Sequence, residues 1–130
     1  MKRYAGGKLQ VSTPLVIAEA DAIEAGFFDW YSDPEHQRAY RFLSLVMDGI
    51  EIDGRLWLLW GTWEGVDGLV TVHDHSGAIV RRIRFPALQE GEAHVAPRRF
   101  AVDPSVGRVY LVAPSASSLW AFDLPEGVEW

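Results

Sequence analysis

From residue 38 onward the chain is a succession of short apolar runs, each stopped by glycine, aspartate or proline. The runs cover 40–47, 55–60, 69–74, 79–85, 99–102, 108–113 and 119–122. Between them stand Asp48-Gly49, Asp53-Gly54, Asp67-Gly68, Ser76-Gly77, Asp103-Pro104 and Pro125-Glu126-Gly127. Runs of this length, rich in β-branched and aromatic residues and punctuated at such regular intervals, predict an antiparallel meander. The fold class is therefore all-β. Upstream, residues 8–17 carry Val11, Thr13, Val16 and Ile17 and predict a strand edged at Pro14. Residues 18–26 are good helix formers ending in Gly26, but Ile23 is their one large apolar side chain, so a single helical turn or an ordered loop is expected. Residues 27–37 mix Phe27, Phe28, Trp30 and Tyr31 with Asp29, Asp33, Pro34 and Glu35, which predicts an aromatic loop packed on the rest of the chain.

The apolar pattern also repeats. Val46-Met47-Asp48, followed by Gly54-Arg55-Leu56-Trp57-Leu58-Leu59, has the wording of Ala101-Val102-Asp103 followed by Gly107-Arg108-Val109-Tyr110-Leu111-Val112. Further on, Val70-Thr71-Val72-His73-Asp74 answers to Leu119-Trp120-Ala121-Phe122-Asp123, the first copy being longer by four residues between its glycine and its final aspartate. Equivalent positions such as Leu56 and Val109, Trp57 and Tyr110, and Val72 and Ala121 are expected to be equivalent in structure and burial. One domain, 1–130, divides on this basis into an N-terminal strand and aromatic, acidic loop (1–39) and two repeats (40–98 and 99–130).

A repeat of roughly 50 residues made of these strands is similar to a propeller blade. Residues 40–127 resemble blades of the six-bladed β-propellers of the NHL and related bacterial repeat families, in which a segment like Phe100-Ala101-Val102-Asp103 leads into one like Gly107-Arg108-Val109-Tyr110-Leu111-Val112. A closed ring takes about four to eight blades, and this chain has room for two or three. The resemblance therefore implies a partner: a further copy of the chain, or the remainder of a larger propeller. The alternative architecture is a small closed barrel or sandwich.

Composition narrows the functions. With a formal charge of -6 and no basic cluster longer than pairs such as Arg81-Arg82 and Arg98-Arg99, the chain lacks the means to neutralise phosphates, so nucleic acid is not expected as a partner. The absence of cysteine removes thiolate chemistry and cysteine-ligated zinc. No apolar run has the length of a signal peptide core or a membrane span, and a cytoplasmic, membrane-free chain is expected.

Few residues carry chemistry. His73 and His75, at i and i+2, would project from one face of a strand and could begin a divalent metal site, while Asp74 doubles as a turn-capping aspartate. Asp29, Asp33, Glu35 and His36 form an acidic cluster that could hold calcium or act as an acid and base, or else build a turn at Asp33-Pro34. Trp60 and Trp63 fall at or beyond a strand end, where large aromatics meet ligands, and with Phe28 and Trp30 they make the candidate binding surface. The reading is a non-catalytic binding or assembly module without a cofactor. Its alternative is a metal-dependent hydrolase or lyase of the propeller type.

Overall fold

A computed structural model describes residues 2–12, 17–35, 45–62, 67–113 and 117–124. Among them the architecture is all-β with one helix, and all strand pairing is antiparallel. Strands β1 (Lys2–Ala5) and β2 (Lys8–Ser12) form a hairpin. Its turn glycines, Gly6 and Gly7, have φ of 56° and 75°, which is the left-handed geometry that a two-residue hairpin loop demands.

A helix, α1 (Ala20–Tyr31), follows. It is longer than the single turn expected at 18–26 and absorbs the four aromatic residues of the expected loop, Phe27, Phe28, Trp30 and Tyr31. The anchor is a pair of buried residues one turn apart, Ile23 and Phe27, that holds the helix through Gly26.

The first large sheet has the order β3-β4-β5-β6, made of β3 (Val46–Ile52), β4 (Arg55–Trp60), β5 (Gly68–His73) and β6 (Ile79–Phe85). The hairpin from β3 to β4 turns on Asp53 and Gly54, both at positive φ. Asp48-Gly49, expected to be a turn, lies within β3 instead. A small hairpin, β7 (Leu88–Glu90) with β8 (Ala93–Val95), leads to the second large sheet. That sheet, of order β11-β10-β9, comprises β9 (Arg99–Asp103), β10 (Arg108–Ala113) and β11 (Ser118–Asp123).

The central hairpins of the two sheets share one register. Leu56 faces His73, Trp57 faces Val72, Leu58 faces Thr71 and Leu59 faces Val70. At the corresponding positions Val109 faces Phe122, Tyr110 faces Ala121, Leu111 faces Trp120 and Val112 faces Leu119. The correspondence breaks at the first strand, because Ile52 pairs with Arg55 at the place where Asp103 pairs with Arg108. Asp48 is thus not the structural counterpart of Asp103.

Two cores lie on the two faces of the first sheet. On one face Leu58, Trp60 and Leu69 are covered by Ile17 and by Ile23 of α1. On the other, Trp57, Leu59, Val70 and Val72 meet Phe100, Val109, Leu111 and Ala113 of the second sheet, with Leu88 and Val95 of the small hairpin. Near the start of β3 the Asp48 carboxylate accepts the Phe100 backbone N–H at 3.1 Å, tying the first strands of the two sheets together.

The turns are built by aspartates. Asp74 Oδ1 accepts from Ser76 Oγ at 2.6 Å and from the backbone N–H groups of Ser76 and Ala78, as a turn-capping residue does. Asp103 Oδ1 accepts from Ser105 Oγ and its N–H in the same way. These bonds, the serine hydroxyl first, hold both carboxyls below their ordinary range, and Arg108 does the same for Asp123. A depressed native pKa means that the unfolded chain binds protons first as acid is added. The contribution of these turns is therefore present at neutral pH and is lost from about pH 4 downward. We expect the urea midpoint to fall with pH in this window, and Asp74→Asn with Asp103→Asn to flatten that fall.

Candidate functional site

The sequence's candidate residues are dispersed by the fold. Trp60 does not face a ligand: it is 2 % exposed, and its indole N–H donates to Thr71 Oγ1 at 2.7 Å. The strand ends at Trp60 as expected, but its end lies under α1, which the apolar run alone did not indicate. Trp63 lies outside the described residues. Phe28 does stand in solvent, at 61 % exposure, with its ring edge-on to the buried Phe27, while Trp30 is half-buried beside the same ring.

His73 and His75 are not a pair. His73, only 1 % exposed, points into the core between α1 and the first sheet, and both its ring nitrogens are engaged, Nε2 with Thr71 Oγ1 at 2.8 Å and Nδ1 with the Gly77 carbonyl at 3.0 Å. His75 sits exposed in the turn after β5. A register irregularity and the tight turn at Asp74 end the strand alternation before His75, so the expected common face does not exist. Asp29, Asp33 and Glu35 are exposed, and Asp33 Oδ1 caps the Glu35 N–H at 2.9 Å. His36 lies outside the described residues. Among the described residues no three His, Asp or Glu side chains gather as metal ligands would.

Chemistry is concentrated instead where the two large sheets are unequal. Among the described residues the first has four strands and the second three, so the last strand of the first sheet, β6, has no described strand opposite it. Between β6 and the β10–β11 hairpin a cleft of about 380 Å³ opens, lined by Arg81, Ile83, Phe85, Val109, Phe122 and Leu124 among others. Its volume is in the range of binding pockets. Phe85 and Phe122 meet across it with ring centroids 5.7 Å apart.

The arginines of β6 divide by strand alternation. Arg82 and Arg84 lie on the α1 side and share Glu19, Arg82 at 3.8 Å and Arg84 in a closer pair. Arg81 pairs in register with Val72, on the cleft side, and forms no ion pair among the described residues. Across the cleft Asp123 is already taken by Arg108 at 2.6 Å. The result is an apolar cleft carrying one uncompensated, half-buried positive charge.

A second open surface is the outer face of the second sheet. Tyr110, Val112, Leu119 and Ala121 lie there, flanked by Arg99 at one end and by the Arg108–Asp123 pair at the other. Val112 is 36 % and Leu119 64 % exposed. The sequence assigned Tyr110 and Ala121 the burial of Trp57 and Val72, and that expectation is corrected here. Tyr110 is half-buried and Ala121 exposed, because nothing among the described residues covers the last layer of the stack.

No family model matches the chain, and no curated protein or solved structure does so either.

Proposed function

We propose that the chain is a non-catalytic binding and assembly module made of two blade-like layers, and that the outer face of its second sheet receives a further layer. One observation carries this reading. In the first sheet, Trp57, Leu59, Val70 and Val72 are buried by the neighbouring sheet, whereas their register counterparts Tyr110, Val112, Leu119 and Ala121 form the open outer face of the second. The two layers stack front to back, as consecutive propeller blades do, and such stacking continues until something closes it. Neighbouring apolar residues left open on a sheet face are what interfaces use. The partner is a further copy of this chain or the remainder of a larger propeller.

The test is sedimentation velocity at micromolar concentration. The unmodified chain should show concentration-dependent association, and Leu119→Lys, which places a charge at the more exposed of the face's two large apolar positions, should return it to monomer. A chain that remains monomeric throughout the range overturns assembly from copies of itself. If the chain associates and Leu119→Lys associates equally well, the contact lies elsewhere and the outer-face reading fails.

A further inference from the structure

We infer that the free edge of β11, with the cleft beneath it, is a strand-addition site for an extended segment of a partner polypeptide carrying alternate apolar side chains and a carboxylate placed against Arg81. This rests on the binding-module reading above, but on a different surface.

The edge itself is the first argument. Among the described strands β11 pairs with β10, without a register shift over its six residues, and with no other. Its sequence, Ser118-Leu119-Trp120-Ala121-Phe122-Asp123, holds a single charge at the end, with no proline, no lysine and no bulge. Those are the devices by which exposed edges are blunted against pairing with other chains. From Leu119 to Phe122 the backbone groups directed away from β10 have no ladder partner among the described residues. An open row of donors and acceptors is satisfied best by another backbone in register, which is how sheet edges capture peptides.

Position is the second argument. In the first sheet the strand in the place of β11 is β5, and it carries β6 on its free side. A strand added to β11 would therefore lie over Arg81, Ile83 and Phe85, filling the cleft. It would complete the second sheet at four strands, equal to the first.

The cleft then specifies the partner's chemistry. Ile83, Phe85, Phe122 and Leu124 accept apolar side chains, and Arg81, whose neighbours Arg82 and Arg84 are already served by Glu19, calls for a carboxylate. Direction follows from the register. Arg81, Ile83 and Phe85 stand opposite Val72, Val70 and Gly68. The β11 counterparts of Val72 and Val70 are Ala121 and Leu119. A segment antiparallel to β11 thus reaches Arg81 first and Ile83 and Phe85 after it. The motif expected is acidic, any, apolar, any, apolar, read from its N-terminal end.

The experiment uses the full chain and a fluorescein-labelled peptide, acetyl-Thr-Glu-Thr-Val-Thr-Val-Thr-amide, followed by anisotropy. Two further peptides serve as controls, one with Lys for Glu and one with Pro for the Thr between the two Val residues. Saturable binding of the Glu peptide is expected, about tenfold tighter than the Lys peptide, a ratio typical of one charge contact. Arg81→Glu, at a half-buried position whose loss leaves the core intact, should reverse that preference while its circular dichroism stays native. The Pro peptide should bind more weakly than the Glu peptide.

Absence of saturable binding overturns the inference, as does equal affinity of the unmodified chain for the Glu and Lys peptides. Undiminished binding of the Pro peptide overturns it too, since side-chain capture alone would then suffice. If the peptide binds only by dissociating a dimer, the edge is the seat of a second copy and the partner-segment inference falls. Self-association abolished by Leu119→Lys with no peptide binding removes this inference alone, and peptide binding by a strictly monomeric chain removes only the assembly reading.

Discussion

Gly68→Ala is expected to destabilise the protein by about 3 kcal/mol. Gly68 opens β5 and stands directly opposite Phe85 in β6. The Phe85 ring lies back across the glycine, so closely that a Cβ added there would fall inside the ring, against its Cε2 and Cζ. Phe85 cannot yield by a small shift, because it is buried, packs against the tilted ring of Phe122 and belongs to the core between the two large sheets. The added methyl must either force β5 and β6 apart or turn the ring out of that core. Overpacking of the first kind costs about 1–3 kcal/mol, and expelling the ring approaches the roughly 3–5 kcal/mol of a Phe→Ala truncation. Urea denaturation followed by circular dichroism measures the change. The cause is checked by a double-mutant cycle, since in a Phe85→Ala background the same Gly68→Ala should have almost no effect. An unmodified midpoint for Gly68→Ala alone would show that the ring does not occupy this place.

The sequence marks β4, β6 and β10 to the residue, at 55–60, 79–85 and 108–113, because each is a continuous apolar or alternating run between turn residues. Pairing across the central hairpins is not marked in the same way: that Trp57 faces Val72 and Tyr110 faces Ala121 is seen only in the sheets themselves. The rest of the fold is less legible. The helix continues past Gly26 because Phe27, four residues after Ile23, is buried as well and gives it a second anchor. The strand β3 runs through Asp48-Gly49 because the Asp48 carboxylate is used by Phe100, a contact between residues 52 positions apart in sequence. Short elements such as β7 and β8 are too brief for periodicity to register.

Of the site, sequence reading pointed to other aromatic residues: Phe28, Trp30 and Trp60 are not among the residues that line the cleft. A tryptophan at a strand end can face solvent or the core, and the arrival of α1 decides the matter for Trp60. The cleft is a property of strand number: it exists because one sheet has four strands and its neighbour three, a difference that single-strand patterns do not reveal. The signal for Arg81 lies within Arg81-Arg82-Ile83-Arg84-Phe85, where alternation separates one arginine from the two on the other face. What singles it out is Glu19, 65 positions from Arg84, which compensates the other two and leaves Arg81 with its charge.

Thr71→Val should destabilise the protein by about 3 kcal/mol, although valine has nearly the shape of threonine and is the more apolar residue. Thr71 is fully buried, between Trp60 and His73. The Gly77 carbonyl can only accept, so His73 Nδ1 carries a proton, and in the tautomer protonated there alone Nε2 is an acceptor. The Thr71 hydroxyl therefore donates to Nε2 while it accepts from the Trp60 indole N–H, and the chain from Trp60 through Thr71 and His73 to Gly77 is satisfied at every step. Valine removes both functions at once. A buried indole N–H loses its acceptor and a buried imidazole nitrogen its donor, each loss being worth about 1–3 kcal/mol where water has no access. The gain in apolarity is small beside that, because only a hydroxyl is exchanged for a methyl. Thr71→Ser, which keeps the hydroxyl and deletes one methyl, should cost only about 1 kcal/mol. Urea denaturation of the two variants separates the contributions: Thr71→Val should unfold at the lower concentration. The reverse order would mean that methyl packing under α1, and not the hydrogen-bonded chain, is what Thr71 supplies.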